Sequence, residues 1–142
     1  MSLAIFEPAR KLFESAFQAA WGNTTPIKFE NVKFSQPKNA PWVGVFVRFG
    51  VSEQASIGPV GRRLERHAGA IIIQCFSPKG SGTKGLNDLC DAAAVVFRMN
   101  SLIDQVNGIQ IDLQTPRVIP AGEDKELMQA NVSTDFLLDS LW

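Results

Sequence analysis

The chain has 142 residues, 45% of them hydrophobic and 20% charged, with 14 basic side chains balancing 14 acidic ones. That length predicts a single domain spanning 1–142, and the even charge argues against a dedicated nucleic-acid binder, whose affinity comes from excess Lys and Arg meeting phosphate. The cysteines, Cys75 and Cys90, are too few for a disulfide scaffold, and with His67 as the lone histidine no metal-ligand spacing emerges.

In chain order, the first signal is helical. Leu3, Phe6, Phe13, Phe17 and Ala20 recur at helical spacing, with Ala9 and Ala16 filling the same stripe. Pro8 suits only a first turn, so the regular part begins near Glu7. Trp21-Gly22-Asn23 ends it, with Gly22 free to adopt the positive φ of a C-cap.

From Thr25 the period changes to two. Ile27 and Phe29 share a face, and so do Val43, Val45, Val47 and Phe49. Residues 51–60 are polar and contain Gly and Pro, which predicts a loop. A long strand follows over 62–76, and its centre, Ala70-Ile71-Ile72-Ile73, is apolar on both faces, as in the middle of a sheet. Together 43–49 and 62–76 predict a hairpin with a long protruding loop.

After a turn over 77–82, a second helix is expected over 83–99, with Leu86, Leu89, Cys90, Ala93, Val96 and Phe97 as its buried stripe. Short strands follow at 101–104 and 109–113, then a loop over 116–125. The closing segment is the most regular. Met128, Ala130, Val132, Thr134, Phe136 and Leu138 alternate with Gln129, Asn131, Ser133, Asp135 and Leu137, so one face meets the core and the other is wet or an interface. The order gives an α+β fold, a mostly antiparallel sheet with two helices packed on one face. No signal peptide is evident, and no apolar run approaches the ~20 residues of a membrane span, so a soluble, intracellular-type domain without a membrane partner is expected.

Gly80-Ser81-Gly82-Thr83-Lys84-Gly85 matches G-x-G-x-x-G after a strand, with Asp104 about twenty residues further on. In a dinucleotide fold the glycines admit a pyrophosphate to a helix N-terminus and the acid holds a ribose hydroxyl. Here the preceding strand reads as an arm of an antiparallel hairpin, so the segment is read as a turn capped by Thr83, and no cofactor is expected. Lys84 precedes Gly85, which also excludes a Walker A loop. A small nucleotide-binding enzyme using this turn stays as the alternative.

No Ser or Cys is placed near His67 by local sequence, so it reads as a satisfied structural or interface histidine rather than a general base. Cys75 and Cys90 fall in apolar patterns and read as small buried hydrophobes. Arg62-Arg63-Leu64-Glu65-Arg66 lacks the interleaved aromatics that stack bases, so a solvated arm or a protein contact is the better reading. Trp42 and Trp142 read as core-edge rings.

From Trp42 to Phe97 the sequence resembles the tail terminator (tail completion) proteins of long-tailed bacteriophages. The resemblance rests on Pro41-Trp42-Val43-Gly44-Val45-Phe46-Val47-Arg48-Phe49, the loop Gln54-Ala55-Ser56-Ile57-Gly58 and the strand start Arg62-Arg63-Leu64-Glu65-Arg66-His67-Ala68-Gly69. Ile72 to Gly82 and the helix segment Leu89-Cys90-Asp91-Ala92-Ala93 continue it. It implies an α+β virion structural protein, not an enzyme, that forms a homo-hexameric ring on the tail tube, stops tube polymerisation and offers the docking surface for the head–tail connector. It further implies a site at the head-proximal end of the tail, assembly in the host cytoplasm, and a lumen through which DNA passes without specific binding. A related head–tail connector or adaptor is the other reading. The expected contact residues with tube or subunits are Gln54, Ser56, Arg62, Arg63 and Arg66 on the hairpin, and Gln129, Asn131 and Asp135 on the last strand.

Overall fold

The computed structural model describes residues 5–54, 56, 58, 64–80, 82–98, 101–124 and 127–141. Leu3, Arg62, Arg63, Ser81, Met99 and Trp142, all named above, lie outside them, as does most of 55–63.

The first apolar stripe forms helix α1 (Phe6–Trp21), which buries Ala9, Phe13, Phe17 and Trp21. These positions step by i+4, one above the other along a helix face. Ala20, placed in the stripe by the sequence, is exposed and Trp21 takes its place. The Trp21 ring stacks on Phe17 at 5.1 Å, and its indole N–H donates to Thr25 Oγ1 at 3.1 Å. Gly22 has φ 59° and its N–H donates to the Gln18 carbonyl, as the cap reading requires. Helix α2 (Lys84–Phe97) buries the whole expected stripe. Its start differs from the sequence reading. Thr83 is itself in the right-handed helical region and its side chain makes no cap bond.

The strands are β1 (Ile27–Phe29), β2 (Trp42–Gln54), β3 (Leu64–Pro78), β4 (Ser101–Asp104), β5 (Ile109–Leu113), β6 (Arg117–Asp124) and β7 (Leu127–Leu141). They form one seven-stranded sheet in the order β1-β2-β3-β7-β5-β4, with β6 also paired to β7. Only the β1–β2 pair is parallel; every other described pairing is antiparallel. The apolar centre of β3 does lie mid-sheet, between β2 and β7.

Two stretches depart from the sequence reading. Residues 51–54 belong to β2, which continues past a bulge between Phe49 and Ser52 and stays paired to β3 as far as Gln54↔Glu65. The expected loop over 116–125 contains β6. Pro116, Pro120 and Gly122 hide this strand in the sequence. It forms because β7 supplies its ladder on one side, and a register shift between Pro120 and Gly122 absorbs the irregularity. β5 and β6 therefore run end to end along β7, joined where the Gln114 N–H donates to the Asp135 carbonyl at 2.9 Å.

Both helices cover one face of the sheet. Val43, Val45, Ile71, Ile73, Ile109, Ile111, Val132, Phe136 and Leu138 point into that layer and are essentially inaccessible. Phe13 reaches Phe136 at 4.9 Å, and Phe17 meets Phe97 at 6.4 Å. Each fully buried aliphatic or aromatic side chain contributes about 1.5–3 kcal/mol, so this layer anchors the hairpin and the opposite face. Among the described residues, no helix is long and apolar enough to cross a membrane.

Candidate functional site

Strand alternation that buries one set of side chains presents the other on the helix-free face. Along β7 this second set is Gln129, Asn131, Ser133, Asp135, Leu137 and Asp139. On β3 it is Phe76, Gln74, Ile72, Ala70, Ala68 and Arg66, paired in that order with the β7 residues. The register thus places Arg66, Gln129, Asn131 and Asp135 on one surface.

Every guanidinium resolved there is already engaged. Arg66 forks onto Asp139, with Nε to Oδ1 at 2.8 Å and Nη2 to Oδ2 at 3.2 Å. Arg117, on β6, reaches Asp135 at 3.1 Å, and Arg48, on β2, reaches Glu30 at 2.9 Å while lying over the Phe46 ring. The hydrogen bonds and charge of Asp139 raise the Arg66 pKa further above its ordinary range. Gln129 Nε2 donates to Asn131 Oδ1 at 3.1 Å. At one end, Trp42 stacks on Phe76 at 4.0 Å and Phe34 lies against it at 5.2 Å. The face is polar along most of β7 and apolar along the centre of β3, internally charge-paired and edged by aromatic rings.

Gln54 and Ser56 sit elsewhere, at the far end of the β2–β3 hairpin. Gln54 Nε2 donates to the Ser56 carbonyl, and the Leu64 N–H donates to Ser56 Oγ, both at 2.8 Å. The Ser56 hydroxyl ties the end of β2 to the start of β3, and Gln54 holds Ser56 in place. Arg62 and Arg63 lie outside the described residues.

His67 corrects the sequence reading. The bulge in β2 makes Ser52 its cross-strand partner, and Ser52 Oγ lies 2.6 Å from Nδ1. Glu65 Oε2 is 3.5 Å from Nε2, and that buried nitrogen has no hydrogen-bond partner. The histidine is therefore neither remote from a serine nor fully satisfied. Only the strand register could have revealed this.

The comparisons with known proteins bear on this architecture. No curated protein sequence matches the chain significantly. Eleven solved chains match it, among them one of 15% identity and TM-score 0.62, covering 94% of this chain and 96% of its own. At that identity the likeness shows the fold alone. The family model for phage tail terminator proteins matches residues 9–136, from the first buried turn of α1 to the middle of β7. The chain belongs to the phage tail terminator family. It is a structural protein of a phage tail, and so a virion component.

In this terminator-family chain the glycine-rich turn has a conformational explanation. Gly80 and Gly82 have φ +91° and +82°, and a Cβ at either would meet nothing within 4 Å. Their positive φ accounts for the glycines by backbone shape. β3 is antiparallel to both neighbours, so the strand, turn and helix do not form the parallel crossover of a dinucleotide fold. Asp104, the would-be ribose acid, instead accepts from the Asn107 backbone and side chain, which hold its carboxyl below the usual range. An open groove of 620 Å³ borders the turn at Pro78 and Lys79, with residues 36–39 and Leu127 as its other walls. Among the described residues those walls carry no carboxylate, histidine or thiol.

Proposed function

We propose that this chain closes the end of the phage tail tube as a homo-hexameric ring, ends tube polymerisation there and presents the surface on which the head–tail connector docks. The observation that carries this reading is membership of the terminator family over residues 9–136. The helix-free face supports it. A face whose arginines are all neutralised by its own carboxylates can meet another protein surface without burying a lone charge. The chain's net charge of +0 likewise suits a lumen that DNA traverses without sticking.

The mechanism is association. A closed cyclic ring needs head-to-tail contacts, so each subunit carries two complementary patches. Arg66, Gln129, Asn131 and Asp135 form one patch. The hairpin that carries Gln54, Ser56, Arg62 and Arg63 reaches the tube or the neighbouring subunit. The protein works at the head-proximal end of the tail, after assembly in the host cytoplasm.

Two measurements test this. Tails from a phage lacking the gene, seen by electron microscopy, are expected to carry overlong tubes; normal tube lengths with unjoined heads would favour a connector or adaptor instead. Sedimentation over a concentration series is expected to show a monomer when dilute and a ring when concentrated. A tight symmetric dimer at all concentrations contradicts the ring.

A further inference from the structure

Where β2 leaves its regular ladder, the register shift between Phe49 and Ser52 turns Ser52 toward His67. The imidazole is 6% exposed. It is held between the Ser52 hydroxyl at 2.6 Å on Nδ1 and the Glu65 carboxylate at 3.5 Å from Nε2. From α1, Phe6 meets the imidazole edge-on at 5.6 Å and Phe49 at 4.6 Å. One histidine therefore touches both hairpin strands and the start of the helix layer.

We propose that His67 is a proton-operated latch near the distal end of the paired β2–β3 hairpin. In the cation both ring nitrogens donate, Nδ1–H to Ser52 Oγ and Nε2–H to Glu65, and the unfilled position at Nε2 becomes a charge-assisted hydrogen bond. In the neutral ring only one nitrogen carries a proton, and the Glu65 contact loses its charge attraction. Histidine is the side chain whose ordinary charge change falls between pH 5 and 8.

The surroundings isolate this pair. On β7, Leu138 lies opposite His67, and Ser140, opposite Glu65, has a buried hydroxyl with no partner. Asp139 points to the other face and is held by Arg66. Glu53 of β2 is the cross-strand partner of Arg66, hence also on that other face. On α1, Glu7 and Glu14 are both taken by Arg10. Among the described residues Glu65 is the charged group left facing the ring. The charge-assisted Nε2–H bond to Glu65 exists only while the hairpin is latched, so protonation of the ring favours the latched form.

This inference concerns the hairpin alone and stands apart from the ring proposal. Backbone hydrogen exchange of the intact chain at about pH 5.5 and about pH 8, corrected for intrinsic exchange, reads it directly. The wild type is expected to gain about tenfold protection in the strand ends 50–54 and 64–68 in acid, with the α2 amides unchanged. Glu65→Gln and His67→Gln are both expected to abolish the gain. Should His67→Gln fail to fold, Glu65→Gln, at a partly exposed site, carries the test alone. Equal protection at both pH values in the wild type, or a gain that survives Glu65→Gln, overturns the latch.

Discussion

Gly69 lies directly beneath the ring of Phe136, its cross-strand partner in β7. A Cβ at Gly69 would come 2.6 Å from Phe136 Cζ and would collide with the carbonyl oxygen of Arg48 on β2. The ring is fixed from above as well, by Phe13 at 4.9 Å and Phe49 at 5.8 Å. It therefore has no free direction in which to yield. Gly69→Ala is expected to lower stability by about 3 kcal/mol, the upper end for one inserted methyl in a packed core, even though the backbone there is ordinary strand. Urea unfolding checks this, and Ala70→Val, on the opposite face one residue away, is the near-neutral control.

Elements legible in the sequence are those whose own side chains decide their structure. α1, α2 and β7 alternate or recur so regularly that burial follows from spacing, and Gln129, Asn131 and Asp135 could be placed on one face by counting. What could not be read is what a neighbour decides. β6 follows Pro116, carries Pro120 and Gly122, and is a strand only because β7 pairs with it. Arg66 joins the β7 residues through register, and Ser52 meets His67 through a bulge that no local pattern announces.

The Arg66–Asp139 fork joins the hairpin strand to the last strand at one end of the proposed contact face. Arg66→Glu would set a third carboxylate beside Asp139 and Glu53. The variant is expected to keep its fold, because the pair is only partly buried and sits at the end of the face, yet to lose ring formation at high concentration. Adding Asp139→Arg should restore part of the assembly. Sedimentation of the single and double variants decides it, and full assembly of the single variant would remove this pair from the interface.

Arg62 and Arg63 lead into β3 and belong to the hairpin that the proposed function sends toward tube or neighbour. Reversing both to Glu is expected to leave folding intact, as judged by circular dichroism, while abolishing completed virions in a complementation assay. Normal particle yield from that double variant would confine the contact to the β7 face.

Cys75 of β3 and Cys90 of α2 are both buried and free, one beneath the other in the helix–sheet layer. The hydrogen bond to Cys90 and burial push the Cys75 thiol upward from its ordinary value of 9.0. The sign of the consequence is fixed. Above the ordinary thiol range the unfolded chain releases this proton and the folded chain does not, so stability falls as pH rises. With no tyrosine in the chain, the lysines and Cys90, whose thiol the hydrogen bond from Cys75 pulls downward, are the other side chains that titrate there. One thiol held protonated costs about 1.4 kcal/mol per pH unit above its unfolded pKa, and the downward shift of Cys90 offsets part of that, so urea unfolding at about pH 10 should show a loss of less than about 1 kcal/mol relative to about pH 8. Cys75→Ala should remove most of that difference. Thiol labelling in native buffer at about pH 8 should be negligible and should rise in step with unfolding; rapid labelling of the folded chain would show that the layer between α2 and β3 opens on its own.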